Sequence, residues 1–167
     1  GLHWCPEGRI ERADGLILVN GFTQFHPRKA VEYKASKRLT KALIISLAKN
    51  PEIALNDFQQ LAYLPSKAPK PKHDLTHADL ELLQHDLADL DRDNHRISHL
   101  KKTKSIRIIH GTSDQIVSID LARRMSSEDL PSSQMLEVEE GGHMLPRTHS
   151  TIIATQIKSL VRSLIEV

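Results

Sequence analysis

Residues 15 to 21, GLILVNG, are apolar at successive positions and bounded by glycines. An unbroken run of that length is the pattern of a parallel strand covered on both faces, where neither side meets water. From Pro27 to Asn50 the period becomes helical. Val31, Ala35, Leu39 and Ala42 recur at spacings of four, four and three and share one apolar stripe, and Asn50-Pro51 stops the segment. A second helix, PEIALNDFQQLAYL, opens with Pro51 in its first turn, where a missing N–H leaves no bond unmade. PSKAPKPKHD then carries three prolines without apolar periodicity and reads as a loop or hinge. In THADLELLQHDLADLDRD, Leu80, Leu83, Leu87 and Leu90 fall on one face of a third helix, with Thr76 as its N-cap.

The rest of the chain alternates. A strand over 105 to 110, a helix from about 118 to 128, a strand from about 134 to 139 and a helix from about 149 to 165 follow in turn. Ile153, Ile157, Leu160, Val161 and Leu164 make one apolar face of the last helix. Strands separated by helices predict a parallel α/β sheet, because parallel neighbours need a crossover connection. Three segments result: 1–25 with the first core strand, 26–100 as a helical insertion over the sheet, and 101–167 as a C-terminal α/β core. No internal repeat is present.

Composition narrows the classes. At 167 residues, 39% hydrophobic and 26% charged, the chain has the make-up of one globular domain with a real core. No run of about 18 apolar residues predicts a membrane span, and the first residues, GLHWCPEG, lack the basic-then-apolar pattern of a signal peptide. A single cysteine, Cys5, permits no internal disulfide and fits a reducing compartment, so the expectation is cytoplasmic. A formal charge of +2 and 4% aromatic residues argue against nucleic acid as a partner.

Ligands of open parallel sheets bind beyond the carboxyl ends of the strands. Asp114 follows the strand IRII and His143, in EVEEGGHMLP, follows QMLEV, with one helix and one strand between them. Adjacent strands would bring both side chains to one rim. A carboxylate that accepts from one imidazole nitrogen fixes the tautomer and stabilises the imidazolium formed when the other nitrogen takes a proton. Gly141 and Gly142 allow the sharp backbone turn that presents the histidine. Ser113 reads as a turn hydroxyl. Asp120 is a second candidate acid, in the first turn of the next helix, where the helix dipole favours a carboxylate in any case. His73 with His77 and His95 with His99 stand at i, i+4, but neither pair has a third ligand in sight, so no metal and no cofactor is expected. Nothing places Cys5 at a strand end as a nucleophile.

GLILVNGF, IRIIHGTSDQIV, EEGGHMLP and the closing amphipathic helix resemble the C-terminal half of an α/β-hydrolase, with the helical insertion where that family carries its lid. LELLQHDLADLDRDNHRISHLKKTKSIRIIHGTSD is further similar to carboxylesterases that cleave pimeloyl-acyl carrier protein methyl ester in biotin synthesis. The resemblance implies an α/β fold, a three-strand part of the hydrolase sheet with an inserted helical lid, Asp114 as triad acid and His143 as triad base. It implies a small acyl ester as substrate and an acyl carrier protein as partner. Arg28, Lys34, Lys37, Arg38 and Lys41, on and before the first insertion helix, are the patch such an acidic carrier would meet, or else the wet face of that helix. Leu43, Leu47, Phe58 and Leu61 either line an acyl channel or pack the lid. The family's nucleophile sits in a G-x-S-x-G elbow upstream of both partners. The seven glycines, at 1, 8, 15, 21, 111, 141 and 142, bracket no serine or cysteine in that way. The expectation is the C-terminal portion of a longer serine hydrolase, inactive by itself. The alternatives are a non-catalytic binding module and a hydrolase of another bond, such as a C–C hydrolase or a haloperoxidase-like enzyme.

Overall fold

The computed structural model describes residues 13–70, 79–92, 100 and 103–166. Strands β1 (Gly15–Val19), β2 (Ser105–Gly111) and β3 (Gln134–Val138) pair in parallel in the order β1-β2-β3, so β2 is central. Leu18 lies opposite Ile108, and Ile108 opposite Met135.

Alternation along β2 divides the core. Ile106 and Ile108 join Leu18, Ala122, Met125 and Leu130 on one face, and Ile109 joins Val138 and Leu145 on the other. Both faces are apolar because both are covered, which is why β1 and β2 read as continuous apolar runs. Arg107 is the exception. It is held against the last helix by donating to Gln156 O (3.1 Å), Gln156 Oε1 (2.9 Å) and Ser159 Oγ (3.1 Å). Its two terminal nitrogens thereby find partners, while Nε has no hydrogen-bond partner among the described residues.

Between β1 and β2 lie α1 (Ala30–Lys49), α2 (Pro51–Tyr63) and α3 (Leu80–Arg92), with α1 packed on both of the others. The apolar stripe expected to anchor α1 faces outward instead. Val31 is 83% and Leu39 72% exposed, Ala35 and Ala42 are exposed too, and the buried positions are Thr40 and Leu47. A second line, Ser36, Thr40, Leu43 and Leu47, is also near-helical in spacing. It won because its polar members find partners: Ser36 Oγ meets His26 Nδ1 at 2.7 Å, and Thr40 Oγ1 donates to Ser36 O at 3.1 Å. Thr76 lies outside the described residues. Within them α3 starts at Leu80, and Asp79 Oδ1 accepts from Leu82 N at 2.9 Å, the bond an N-cap makes.

After β2, Ser118 caps α4 (Ile119–Arg124), which runs into a π-helical turn at Met125–Asp129 where one longer helix was expected. After β3, a short α5 (Leu145–Thr148), not foreseen from the sequence, precedes α6 (Ser150–Ile165). On α6 Leu160 is buried and Ile153 packs in the second cluster, but Ile157 and Val161 remain about half exposed. Among the described residues no helix is long and apolar enough to cross a membrane.

Candidate active site

The acid is fixed by its own loop. Asp114 Oδ1 accepts from Ile116 N (2.8 Å) and Val117 N (2.9 Å), a turn that an aspartate closes with its side chain. That leaves Oδ2 free to face the end of β3, where it meets His143 Nδ1 at 2.8 Å. The Asp114 side chain is wholly buried, while that of His143 is 26% exposed. With a carboxylate as its partner, Nδ1 carries the proton. Nε2 has no hydrogen-bond partner among the described residues, so the ring presents a lone pair on its open side.

A third ring stands behind the pair. His110 is fully buried; its Nε2 lies 3.6 Å from Asp114 Oδ2 and donates to Val117 O at 2.9 Å, and its Nδ1 has no hydrogen-bond partner among the described residues. Burial pushes the His110 imidazole below its ordinary value, against the opposing pull of Val117 O and Asp114. A neutral His110 leaves the Asp114 charge directed at His143.

The two loops are interlaced by backbone. Thr112 N and Gly141 N both donate to Val138 O (3.0 Å each), and Ser113 N donates to Gly141 O (2.9 Å). A Cβ on Gly111 would strike the Gly141 carbonyl, and one on Gly142 would strike the carbonyl of Leu64 at the end of α2. The glycines beside His143 thus serve close approach as well as turning. Met144 N donates to Ala62 O at 3.1 Å, which seats the base loop on α2. Beside that contact is a cavity of about 600 Å³ lined by Leu55, Phe58, Ala62, Tyr63, Met144 and Arg147, among others. Of the four insertion residues expected to line a channel or pack the lid, Phe58 lines this cavity; Leu47 is packed inside, Leu43 is half-buried and Leu61 is about half exposed.

One residue went unnoticed in the sequence. Asn20, buried at the end of β1, donates from Nδ2 to Gly142 O (3.1 Å) and His143 O (2.6 Å) and accepts at Oδ1 from Gly111 N (3.0 Å). Its φ of 48° is left-handed, a region that asparagine tolerates better than most residues. The signal available was Asn-Gly at a strand end, which reads first as a turn.

The other candidates separate. Asp120 is exposed and paired with Arg123 at 3.3 Å, away from any histidine ring. Of the five cations expected to form a patch, Arg28 pairs with Glu128 (2.7 Å) and Lys37 with Asp91 (3.0 Å), and Lys34, Arg38 and Lys41 are exposed without an ion-pair partner among the described residues. Cys5, His73, His77, His95 and His99 lie outside the described residues. Among those described, no group of three or more His, Cys, Asp or Glu is arranged to hold a metal ion.

No family model matches the sequence, and no curated protein does. Solved structures do match. An esterase from Exiguobacterium antarcticum superposes with a TM-score of 0.63 at 22% identity, over 89% of this chain and 57% of its own. A bromoperoxidase from Bacillus anthracis gives 0.59 at 18%, over 89% and 58%, and a thermophilic esterase 0.59 at 15%, over 89% and 56%. The fold is that of the C-terminal part of an α/β-hydrolase. At these identities the likeness is one of fold, and the chain spans a little over half the length of the structures it matches. In this part of the α/β-hydrolase sheet, Asp114 and His143 stand at the carboxyl ends of adjacent strands, the rim where parallel sheets bind ligands.

Proposed function

We propose that this chain is part of a serine-type carboxylic ester hydrolase working through an acyl-enzyme. The observation that carries the reading is the 2.8 Å bond between His143 Nδ1 and a buried Asp114 carboxylate, with the opposite edge of the ring open. In such a site Nε2 takes the proton of a serine hydroxyl as its oxygen attacks the ester carbonyl, and Asp114 stabilises the imidazolium. Nε2 then returns the proton to the departing alcohol, and a water repeats the sequence to release the acid. The serine, in a G-x-S-x-G elbow, belongs to sequence outside these 167 residues.

The finer reading is a cytoplasmic pimeloyl-acyl carrier protein methyl ester esterase whose lid is the α1–α3 insertion. Its support is the similarity of residues 80 to 114 to those esterases. The remaining cations, Lys34, Arg38 and Lys41, suit an acidic carrier.

The test uses the complete protein that contains this chain. With p-nitrophenyl butyrate, His143→Ala should lower kcat by about 10³- to 10⁴-fold, and unchanged turnover would reject the reading. The 167-residue chain alone should show no turnover above buffer and no serine labelled by a fluorophosphonate. Peroxide-dependent bromination without ester cleavage would assign the pair to haloperoxidase-like chemistry, and no turnover in either assay would leave a binding module.

A further inference from the structure

We infer that Asn20 is the positioning residue of the acid–base pair, a single amide that sets the loop of Asp114 and the loop of His143 at hydrogen-bonding distance. The inference rests on the acid–base reading of that pair. Its basis is where the three bonds go. Oδ1 holds Gly111 N, the last amide of β2 before the turn of Asp114; Nδ2 holds the carbonyls of Gly142 and His143 themselves. Asn20 N donates to Ile109 O at 2.9 Å, which ties the residue to β2 by backbone as well. Asp114 and His143 come from different loops, and backbone contacts between those loops fix Thr112, Ser113 and Gly141 but not the carbonyl of His143. Asn20 Nδ2 makes that contact. Because Asn20 is buried, no water competes for these groups, and each would be left unpaired if the amide were lost.

Asparagine is the side chain that meets these demands. It donates and accepts from one planar group, and it accepts a left-handed backbone. Aspartate has the same size and turn preference and still accepts from Gly111 N, but it turns two donor contacts into repulsion between a carboxylate and two carbonyls. Glycine keeps the backbone conformation and deletes the amide. The two substitutions separate the role of the amide from that of the turn.

The experiment is ¹⁵N and ¹H NMR of the histidine rings in the complete protein that contains this chain at pH 8, with Asn20→Asp and Asn20→Gly beside it. Ser36→Ala, which lies in the insertion and touches neither loop, serves as the control for loss of stability. The wild-type chain should show His143 as its Nδ1–H tautomer with an exchange-protected ring proton, and Asn20 side-chain amide protons protected from exchange. Both Asn20 variants should lose the protected His143 proton and move toward the mixed tautomers of free imidazole, while Ser36→Ala keeps the signature at a lower melting temperature. Variants of Asn20 that melt lower yet retain the His143 signature would overturn the inference. So would wild-type Asn20 amide protons that exchange at free-asparagine rates, a readout that stands even if the variants fail to fold. A wild-type His143 without the Nδ1–H signature would instead overturn the acid–base reading itself.

Discussion

Among the described residues, two histidine–aspartate clusters have a wholly buried member, and the one in the insertion has more parts. In the insertion, Ser36 Oγ meets His26 Nδ1 at 2.7 Å and His26 Nε2 lies 3.4 Å from Asp91 Oδ1, a serine, a histidine and an aspartate in sequence of contact. At the sheet rim, no serine hydroxyl is hydrogen-bonded to His143 among the described residues. What separates the two is access and the sharing of charge. The His26 side chain is fully buried, with the rings of Phe25 and Tyr33 against it, and Lys37 draws on the same Asp91 carboxylate at 3.0 Å. Ser36 sits inside α1, where backbone N–H groups are committed to the helix and none is left to stabilise an oxyanion. His143 keeps one edge in the open, and among the described residues its aspartate has no lysine or arginine as ion-pair partner, only the two histidine rings. Histidine and aspartate therefore tie a helical insertion together in one place and leave an open imidazole edge in the other.

The largest expected contrast is catalytic. In the complete protein, Asp114→Asn should lower kcat by about 10³- to 10⁴-fold, because an amide holds the wrong tautomer of His143 and cannot stabilise its imidazolium. Asp91→Asn should leave kcat within about threefold, since the rate depends on stabilisation of charge in the transition state at a site Asp91 does not touch. Steady-state kinetics with the p-nitrophenyl ester decides it, and a collapse of kcat in the Asp91 variant at full folding would erase the distinction.

The reverse contrast is in stability. His26→Ala removes a wholly buried ring that bonds Ser36 and packs edge-on against two aromatic rings, and should cost about 2 to 4 kcal/mol in urea unfolding. His143→Ala, with a quarter of its side chain exposed, should cost less than half as much. Equal losses would mean that both clusters are structural. Next in size, Ser36→Ala deletes one part-buried hydrogen bond and should cost about 1 kcal/mol, again without effect on kcat.

How much of this was legible depends on what kind of signal each part leaves. The three strands left a strong one: runs such as LILV and IRII are apolar on both faces because the structure covers both. Asp114 and His143 were legible because strand ends in a parallel sheet are adjacent by topology, so spacing in sequence converts to proximity in space. The orientation of α1 was not. Two lines of residues compete for burial there, and the choice was made by His26, which precedes the helix, together with Asp91 of α3, whose nearness the local pattern does not show. Asn20 escaped for a related reason. Its partners lie 91 to 123 residues away, and nothing local marks an asparagine whose work is to join loops. Two of the five cations on and before α1, Arg28 and Lys37, meet Glu128 and Asp91 from elsewhere in the chain, pairings that nothing local marks.

The smallest expected effect concerns His110, the ring that belongs to the rim cluster by position and resembles His26 by burial. Desolvation holds its folded-state value below the ordinary 6.5, and the charged groups that face it are Asp114, His143 and Glu137. The sign follows from which state binds the proton. Below pH 6.5 the unfolded chain protonates this histidine while the folded chain keeps it neutral, so unfolding takes up a proton and stability falls with pH. The contribution is fully present above 6.5 and is lost as the pH drops from there to the folded value. His110→Gln keeps an amide N–H for Val117 O but cannot titrate. Between pH 7.5 and 5.5 its urea stability should therefore decline less steeply than that of the wild type, by at most about 1.4 kcal/mol per pH unit. Parallel declines would show that His110 takes a proton inside the fold, and with that proton it would compete with His143 for the Asp114 carboxylate.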